Sequence, residues 1–439
     1  MYRRASLDNG RAFRGGASRA WRSHFLIVAG VPRRSYTATV PNISHVVRAI
    51  LLLGILALPR CAARLQGPQM EYLLPAMLLY DLNICNYSYG EVTNSYGFIA
   101  NLAALTSAEL QRQAALGSSG SATAGTFGIP GGAGLYNGAV LAPNGRVYAM
   151  PRNATSFAYV DTVNGTTGSF GSAPGGAAYL SGVLAGNGKI YPIPFNASAF
   201  VTIDPSVNSV TALGAAPGAG SWVGGVLAPN GKIYGVPYNS SGYLIIDPAT
   251  NTTSTFGSSP GGGVAQGAVL APNGKIYVIP FNATTYYVVD PATNTVSSFG
   301  TAPGAGAWSG GVLAPNGKIY GIPHNGTSFL VIDPQTNTAA TFGTAPGGSA
   351  WQGGVLAPNG KIYGIPFNST SILVIDPTTN TTSTFGAGPG GNAWSGGALA
   401  ANGKIYAVPS NAPSIGLIDP KSNGSFCDAI LLSGFLNKL

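Results

Sequence analysis

Side chains able to move a proton are few in this chain, and they recur at a fixed interval. From residue 121 onward there are eight Asp, no Glu and a single His. Seven of the Asp (Asp161, Asp204, Asp247, Asp290, Asp333, Asp376 and Asp419) recur every 43 residues, mostly as Asp-Pro-x-x-Asn; the eighth is Asp428. Hydrolysis needs paired carboxylates or a nucleophile beside a base, and acid–base elimination needs a base with a group that orients it. Neither set can be assembled from groups that stand out from the repeat. The expectation is therefore no catalytic residue, no metal and no cofactor.

His324 is the one titratable residue that breaks the pattern. Its counterparts at the same interval are Phe195, Tyr238, Phe281 and Phe367, with Arg152 and Ser410 in the outer copies. It reads either as a drifted turn aromatic or as a ligand-binding or catalytic His. A basic series also recurs at 43: Arg146, Lys189, Lys232, Lys275, Lys318, Lys361 and Lys404. These cations fall on the same face as the seven Asp and should neutralise them as solvated structural charges. An anion or calcium site is the other reading, but no loop carries several carboxylates at close spacing.

A third series is aromatic: Tyr136, Tyr179, Trp222, Trp308, Trp351 and Trp394, with Ala265 interrupting it. Placed in loops on the face opposite the charges, these six residues and His324 are the candidate ligand-binding residues, because aromatic platforms with adjustable polar groups suit sugars or protein loops. The alternative is that each ring wedges between neighbouring repeats.

The elements that must position these residues follow from the repeat. Asn-Gly occurs at Asn144, Asn187, Asn230, Asn273, Asn316, Asn359 and Asn402, always 43 residues apart. Each unit parses into four short strands. A Gly-rich apolar strand meets a Pro-Asn-Gly hairpin, where Asn-Gly tolerates positive φ. Lys-Ile-Tyr-Gly-Ile-Pro alternates in and out, a third strand ends at the Asp-Pro turn, and a Thr/Ser-rich strand runs to Phe-Gly. Four strands in about 43 residues matches one propeller blade. The expected fold is all-β: a seven-bladed β-propeller of four-stranded blades over 121–439. Residues 121–128 resemble an extra fourth strand, since Phe127 lies 43 residues before Phe170. Pairing them with the last blade closes the ring and removes two exposed edges.

With those residues in hand, the pattern KIYGIPFN…LVIDPTTNT at 361–381 resembles the YVTN-type bacterial propeller repeat and, more loosely, the virginiamycin B lyase-like propellers. It departs from the former in having Gly-Ile-Pro where that group has Val-Thr-Asn. The resemblance implies an extracytoplasmic, surface-associated binding protein. A fold does not fix a function, so the site must decide.

The rest of the chain reads as a leader and a connecting segment. Residues 1–64 hold eleven Arg and one acid, a transit-peptide composition, and Ala49 to Leu58 is an apolar run of secretory-signal length ending at Pro59-Arg60-Cys61. The run starts late, so an initiator near Val46 or Val47 is one reading, with Cys61 the lipidation candidate. Cys85 and Cys427 then remain as an even pair able to form a disulfide. Residues 65–120 read as a short, partly helical segment and linker. The net charge of +9 sits mostly in the leader, because 121–439 carries ten bases against eight Asp. A near-neutral repeat region excludes phosphate binding by charge, so nucleic acid is not an expected partner. Asn153, Asn196, Asn239, Asn282, Asn325 and Asn368 stand in Asn-x-Ser/Thr, as glycan acceptors in a eukaryotic secretory host or as turn residues otherwise.

The functional expectation is a non-catalytic, secreted or envelope-anchored binding scaffold, monomeric, recognising glycan or protein. A membrane contact arises only through a lipid anchor. The alternatives are a lyase resembling the virginiamycin B enzymes, a structural surface-display protein, and organelle targeting of the leader.

Overall fold

The computed structural model describes residues 123–127 and 134–420. The leader, the 65–120 segment, Cys61, Cys85, Cys427 and Asp428 lie outside the described residues. Within them the chain forms 28 strands, from β1 (Thr123–Phe127) to β28 (Ile415–Asp419). They make seven four-stranded antiparallel sheets, the blades of a propeller.

Blade one is β2 (Tyr136–Leu141), β3 (Arg146–Pro151), β4 (Phe157–Asp161) and β5 (Thr166–Phe170), in that order from the axis outward. Five more blades repeat it. Blade seven takes its inner three strands from the end of the described chain, and β1 supplies the fourth. Thr123 faces Asp419 and Phe127 faces Ile415 in an antiparallel register of five pairs. The closure expected from Phe127 is thus formed, and it leaves β28 no open edge. The ring also closes at the axis, where the inner strand of blade seven packs on β2.

Six of the seven inner strands begin with the aromatic residue and blade four with Ala265, and each then bulges. In blade five Trp308 pairs with Pro323 and the ladder resumes only at Gly311 and Gly321. The bulge places Gly310 at φ 79°, the left-handed region that glycine occupies without a Cβ penalty. At the junction of blades seven and one, a Cβ on Gly396 would lie 2.9 Å from the Cα of Gly138. Two inner strands can approach that closely only as glycine on glycine.

The hydrophobic core is distributed between blades. Strand positions of the Ile-Tyr-x-Ile type are fully buried, while the outer strands alternate exposed and half-buried residues. One cluster joins Val269 and Tyr277 of blade four to Trp308 and Leu313 of blade five. A polar clamp recurs beside each core. Tyr148 donates its hydroxyl to Asn208 Oδ1 of the next blade at 2.6 Å, and Asn144 Nδ2 reaches the carbonyl of Pro205 at 2.8 Å. Asn208, Asn251, Asn294, Asn337 and Asn380 all have φ of 52–56°, so the Asn of the Asp-Pro-x-x-Asn turn supplies both the left-handed conformation and the acceptor.

On that end of the blades the recurring charges pair within each sheet. Arg146 and the six Lys meet their Asp at 3.3–3.5 Å. The expected mutual neutralisation is what the geometry shows. Such solvated pairs contribute about 0–1 kcal/mol each.

Candidate binding face around the propeller axis

Strand two of each blade starts at the charged end and delivers its last residue to the opposite end. The next residue is Arg152, Phe195, Tyr238, Phe281, His324, Phe367 or Ser410, one per blade. Neighbouring side chains of this series touch across the blade gaps. Phe195 and Tyr238 stand with ring centres 5.3 Å apart, Phe281 and His324 5.6 Å, and His324 and Phe367 5.9 Å. Blades converge only near the axis, so equivalent residues that touch must surround it. Seven-fold spacing at those separations places the ring centres about 6–7 Å from the axis, so that centres span about 12–14 Å and the rings themselves narrow the mouth further. The four Phe and Tyr rings are half-buried and therefore present part of their faces to solvent.

His324 is the most enclosed aromatic of this collar, 9% exposed. Its Nδ1 lies 3.2 Å from the carbonyl oxygen of Trp351. A carbonyl can only accept, so Nδ1 carries the proton and Nε2 keeps its lone pair. Burial pushes the imidazole below its ordinary value, partly offset by that hydrogen bond. Among the described residues no carboxylate stands near it to orient or relay, because all seven Asp are at the other end of the blades. Among the described residues no group of three His, Cys, Asp or Glu could hold a metal.

Arg152 is the charged member of the collar. Among the described residues it is the one Lys or Arg without a carboxylate partner. Its Nε is sealed from solvent and makes no hydrogen bond. It is flanked by Ser410 and Asn411 of blade seven, whose main chain and side chain bind the loop ahead of β2 through Leu135 and Gly134.

Below the collar, each inner strand carries one variable residue just after its first: Asn137, Leu180, Val223, Gln266, Ser309, Gln352 or Ser395. Ser395 donates to Asn137 Oδ1 across the blade seven to blade one gap. Ser309 is fully buried with its hydroxyl unpartnered. The axis is thus lined partly by amides and hydroxyls.

The six aromatics expected to form a platform are placed otherwise. Tyr136, Tyr179, Trp222, Trp308, Trp351 and Trp394 are all buried, between 1% and 5% exposed. They open the inner strands instead of lying in loops, and they pack against the preceding blade: Trp222 on Phe200 at 5.9 Å, Trp308 on Tyr286 at 6.5 Å, Trp351 on Phe329 at 6.3 Å. Each Trp Nε1 donates to a carbonyl 20 residues on, as from Trp308 to Ser328 at 3.0 Å. These rings are interblade wedges, and the exposed aromatic surface on this face belongs to the collar. The sequence signal for the collar was present in the counterparts of His324. It was not read as a ring because a turn residue 43 positions from its equivalent gives no sign that the two touch.

The recurring Asn that follow the collar residues act as straps. Asn196 Oδ1 accepts the N–H of Gly220 at 2.7 Å in the next blade, and its Nδ2 donates to Gly176 at 2.9 Å in its own leading loop. Asn368 and Asn411 repeat the arrangement. Between blades five and six a groove of about 590 Å³ is lined by Asn368, Ser371, Thr382 and Thr384 over the edges of Phe329 and Trp351.

Comparison with known proteins places the fold. No known family matches the sequence, and no curated protein matches it. Solved structures do. A streptogramin B lyase is similar at a TM-score of 0.57 and 16% identity, over 68% of this chain and 96% of the other. Catalytically inactive virginiamycin B lyase from Staphylococcus aureus, solved with quinupristin, gives 0.59 and 13%, over 68% and 99%. The extracellular domain of a one-component system from B. thetaiotaomicron gives 0.53 and 10%, over 67% of this chain and 39% of that one. The chain has the virginiamycin B lyase-like seven-bladed propeller fold. Nothing supports the YVTN-type naming separately.

Proposed function

We propose that this chain is a non-catalytic extracytoplasmic binding scaffold that takes up its ligand at the axial mouth of the uncharged propeller face. The observation that carries the reading is the collar. Phe195, Tyr238, Phe281 and Phe367 present partly exposed rings, with the more enclosed His324 among them, around a mouth whose ring centres span about 12–14 Å, with buried amides and hydroxyls behind them. Partly exposed aromatics converging on one concavity with a few polar groups are the usual make-up of a binding site. The extracytoplasmic part is supported by the apolar leader run and by structural neighbours that are extracellular domains.

Lyase activity is the second reading, because two structural neighbours are lyases and His324 keeps Nε2 free as an acceptor. Among the described residues it has no acidic partner for the His. The test is a glycan array and a protein pull-down with the purified full-length chain, beside Phe281→Ala and Phe367→Ala variants. Saturable binding that both variants weaken at unchanged fold supports the collar. Turnover of a bound compound that His324→Phe abolishes replaces the scaffold reading with the enzymatic one.

A further inference from the structure

The collar is aromatic in five blades and changes character where blades seven and one meet. There Arg152 and Ser410 stand side by side in the series, at the only junction without a ring. Arg152 is unusual in its charge pairing and in its hydrogen bonding. Every other described Lys and Arg holds an Asp at 3.3–3.5 Å, and Arg152 holds none. Its Nε is buried with no acceptor in reach. The face it occupies carries no described carboxylate, so nothing within the fold competes for it.

Propeller stability does not ask for this residue. Five blades fill the position with a ring, and blade seven fills it with Ser410, whose main-chain N–H and carbonyl make the same loop contacts as those of Phe195 and Phe367. A guanidinium that is always charged, planar and able to bind an oxygen pair is the group suited to a carboxylate. The surroundings favour a sugar as its carrier. The rings of Phe195 and Tyr238 continue the collar from Arg152, and aromatic faces pack against the C–H face of a pyranose. Gln266 of the inner row is half-buried and can pair with ring hydroxyls, and a mouth bounded by rings whose centres span about 12–14 Å takes one saccharide chain more readily than a flat protein surface.

Resting on the axial-face reading, we propose that the ligand is an acidic oligosaccharide whose uronate carboxylate is held by Arg152 while a neighbouring sugar ring stacks on Phe195 and Tyr238. The carboxylate meets the terminal nitrogens of the half-buried guanidinium, and its charge balances the one uncompensated cation of the described propeller.

The test titrates the full-length chain with trisaccharides of galacturonic, glucuronic and mannuronic acid, and with their methyl esters, which keep the rings and remove the charge. At least one acid is expected to bind at least tenfold more tightly than its ester, with the preference shrinking as salt is raised. Arg152→Gln and Arg152→Phe, the latter restoring the residue type of the other blades, are expected to erase the preference while melting like the parent chain. Phe195→Ala is expected to weaken acid and ester alike. Equal binding of acid and ester, or a preference that survives Arg152→Gln, overturns the carboxylate assignment and leaves the axial scaffold standing. Binding to neutral glycans alone, or to a protein alone, does the same. Absence of any ligand at the collar across array and pull-down removes the scaffold reading itself.

Discussion

The clamp between Tyr320 and the next blade offers the sharpest test of how the ring is held. Tyr320 is fully buried, donates its hydroxyl to Asn380 Oδ1 at 2.6 Å and accepts from Asn316 Nδ2 at 3.0 Å. Asn316 Nδ2 also serves the carbonyl of Pro377 at 2.9 Å, so that carbonyl is not orphaned when the hydroxyl is removed. Tyr320→Phe therefore deletes two hydrogen bonds whose partners sit on exposed side chains and can rehydrate. At about 0.5–1.5 kcal/mol net for each bond, the expected loss is about 1–2 kcal/mol. The cycle partner is Asn380→Gly, because Asn380 has φ 52° and Ala there would add a left-handed penalty that has nothing to do with the bond. Gly165 holds the equivalent place in blade one, with φ 65°, and shows that glycine fits. Equilibrium urea unfolding of the full-length chain, followed by fluorescence and far-UV dichroism together, gives the midpoints. Tyr287→Phe is the control, since that ring is half-buried and its hydroxyl takes part in no hydrogen bond. A Tyr320→Phe midpoint equal to that of the control refutes the clamp, as does a loss that adds fully to that of Asn380→Gly.

Trp308→Ala is expected to cost about 3–5 kcal/mol, as for a large buried ring, and to leave ligand affinity per folded molecule unchanged; thermal melts beside titrations separate the two effects. Removing residues up to 128 strips β1 from blade seven, and β28 then becomes an open edge; a lowered melting temperature and concentration-dependent self-association in light scattering are expected. His324→Phe is expected to flatten the stability profile below about pH 6.5. Burial lowers the folded pKa, so the unfolded chain binds the proton first, and the parent loses stability as pH falls from the unfolded value through the folded one. The Asp residues act lower on the scale. Asp290 is held below its ordinary value first by the N–H of Ala292 and then by Lys275, and its contribution, present above about pH 4, is lost as pH falls through the folded pKa. Acid titration followed by dichroism should show Lys275→Met reducing that lower step and leaving the one near neutrality intact.

The period, the blade count and the closure were legible because each rests on local rules. Asn-Gly fixes a hairpin, Asp-Pro-x-x-Asn fixes a turn, and both recur at a constant distance, so pairing Lys275 with Asp290 needs only the register of one sheet. The glycines Gly310 and Gly311 suggest an inner strand starting two residues later than it does, because the strand opens at Trp308 and bulges before the ladder resumes. A bulge depends on how closely two blades approach, and that distance is not written in either blade's own sequence. The same reason hid the collar. Contact between Phe281 and His324 is a property of ring curvature, and so is the unpaired state of Arg152, which follows only once every Asp is known to lie at the far end.

A seven-fold scaffold separates structural from functional positions by how far its copies agree. The Tyr of the clamp and the Asn-Gly turn are identical in all seven copies, because each blade must solve the same packing problem against its neighbour. The row after the first residue of each inner strand and the collar row are not held to one residue type. They run from Leu to Gln and from Arg to Phe to Ser, although their backbone contacts are uniform. At the axis all seven copies face one another, so a single ligand meets seven different side chains and needs no two to be alike. Variation in those two rows, beside a clamp and a turn that do not change, is what an axial site would leave in a repeat. The polar members of the inner row fall in blades one, four, five, six and seven, and the aromatic members of the collar in blades two to six. The mouth is therefore asymmetric, with an aromatic arc opposite a cationic gap. That asymmetry gives a bound chain a direction, which a perfectly repeating collar could not impose.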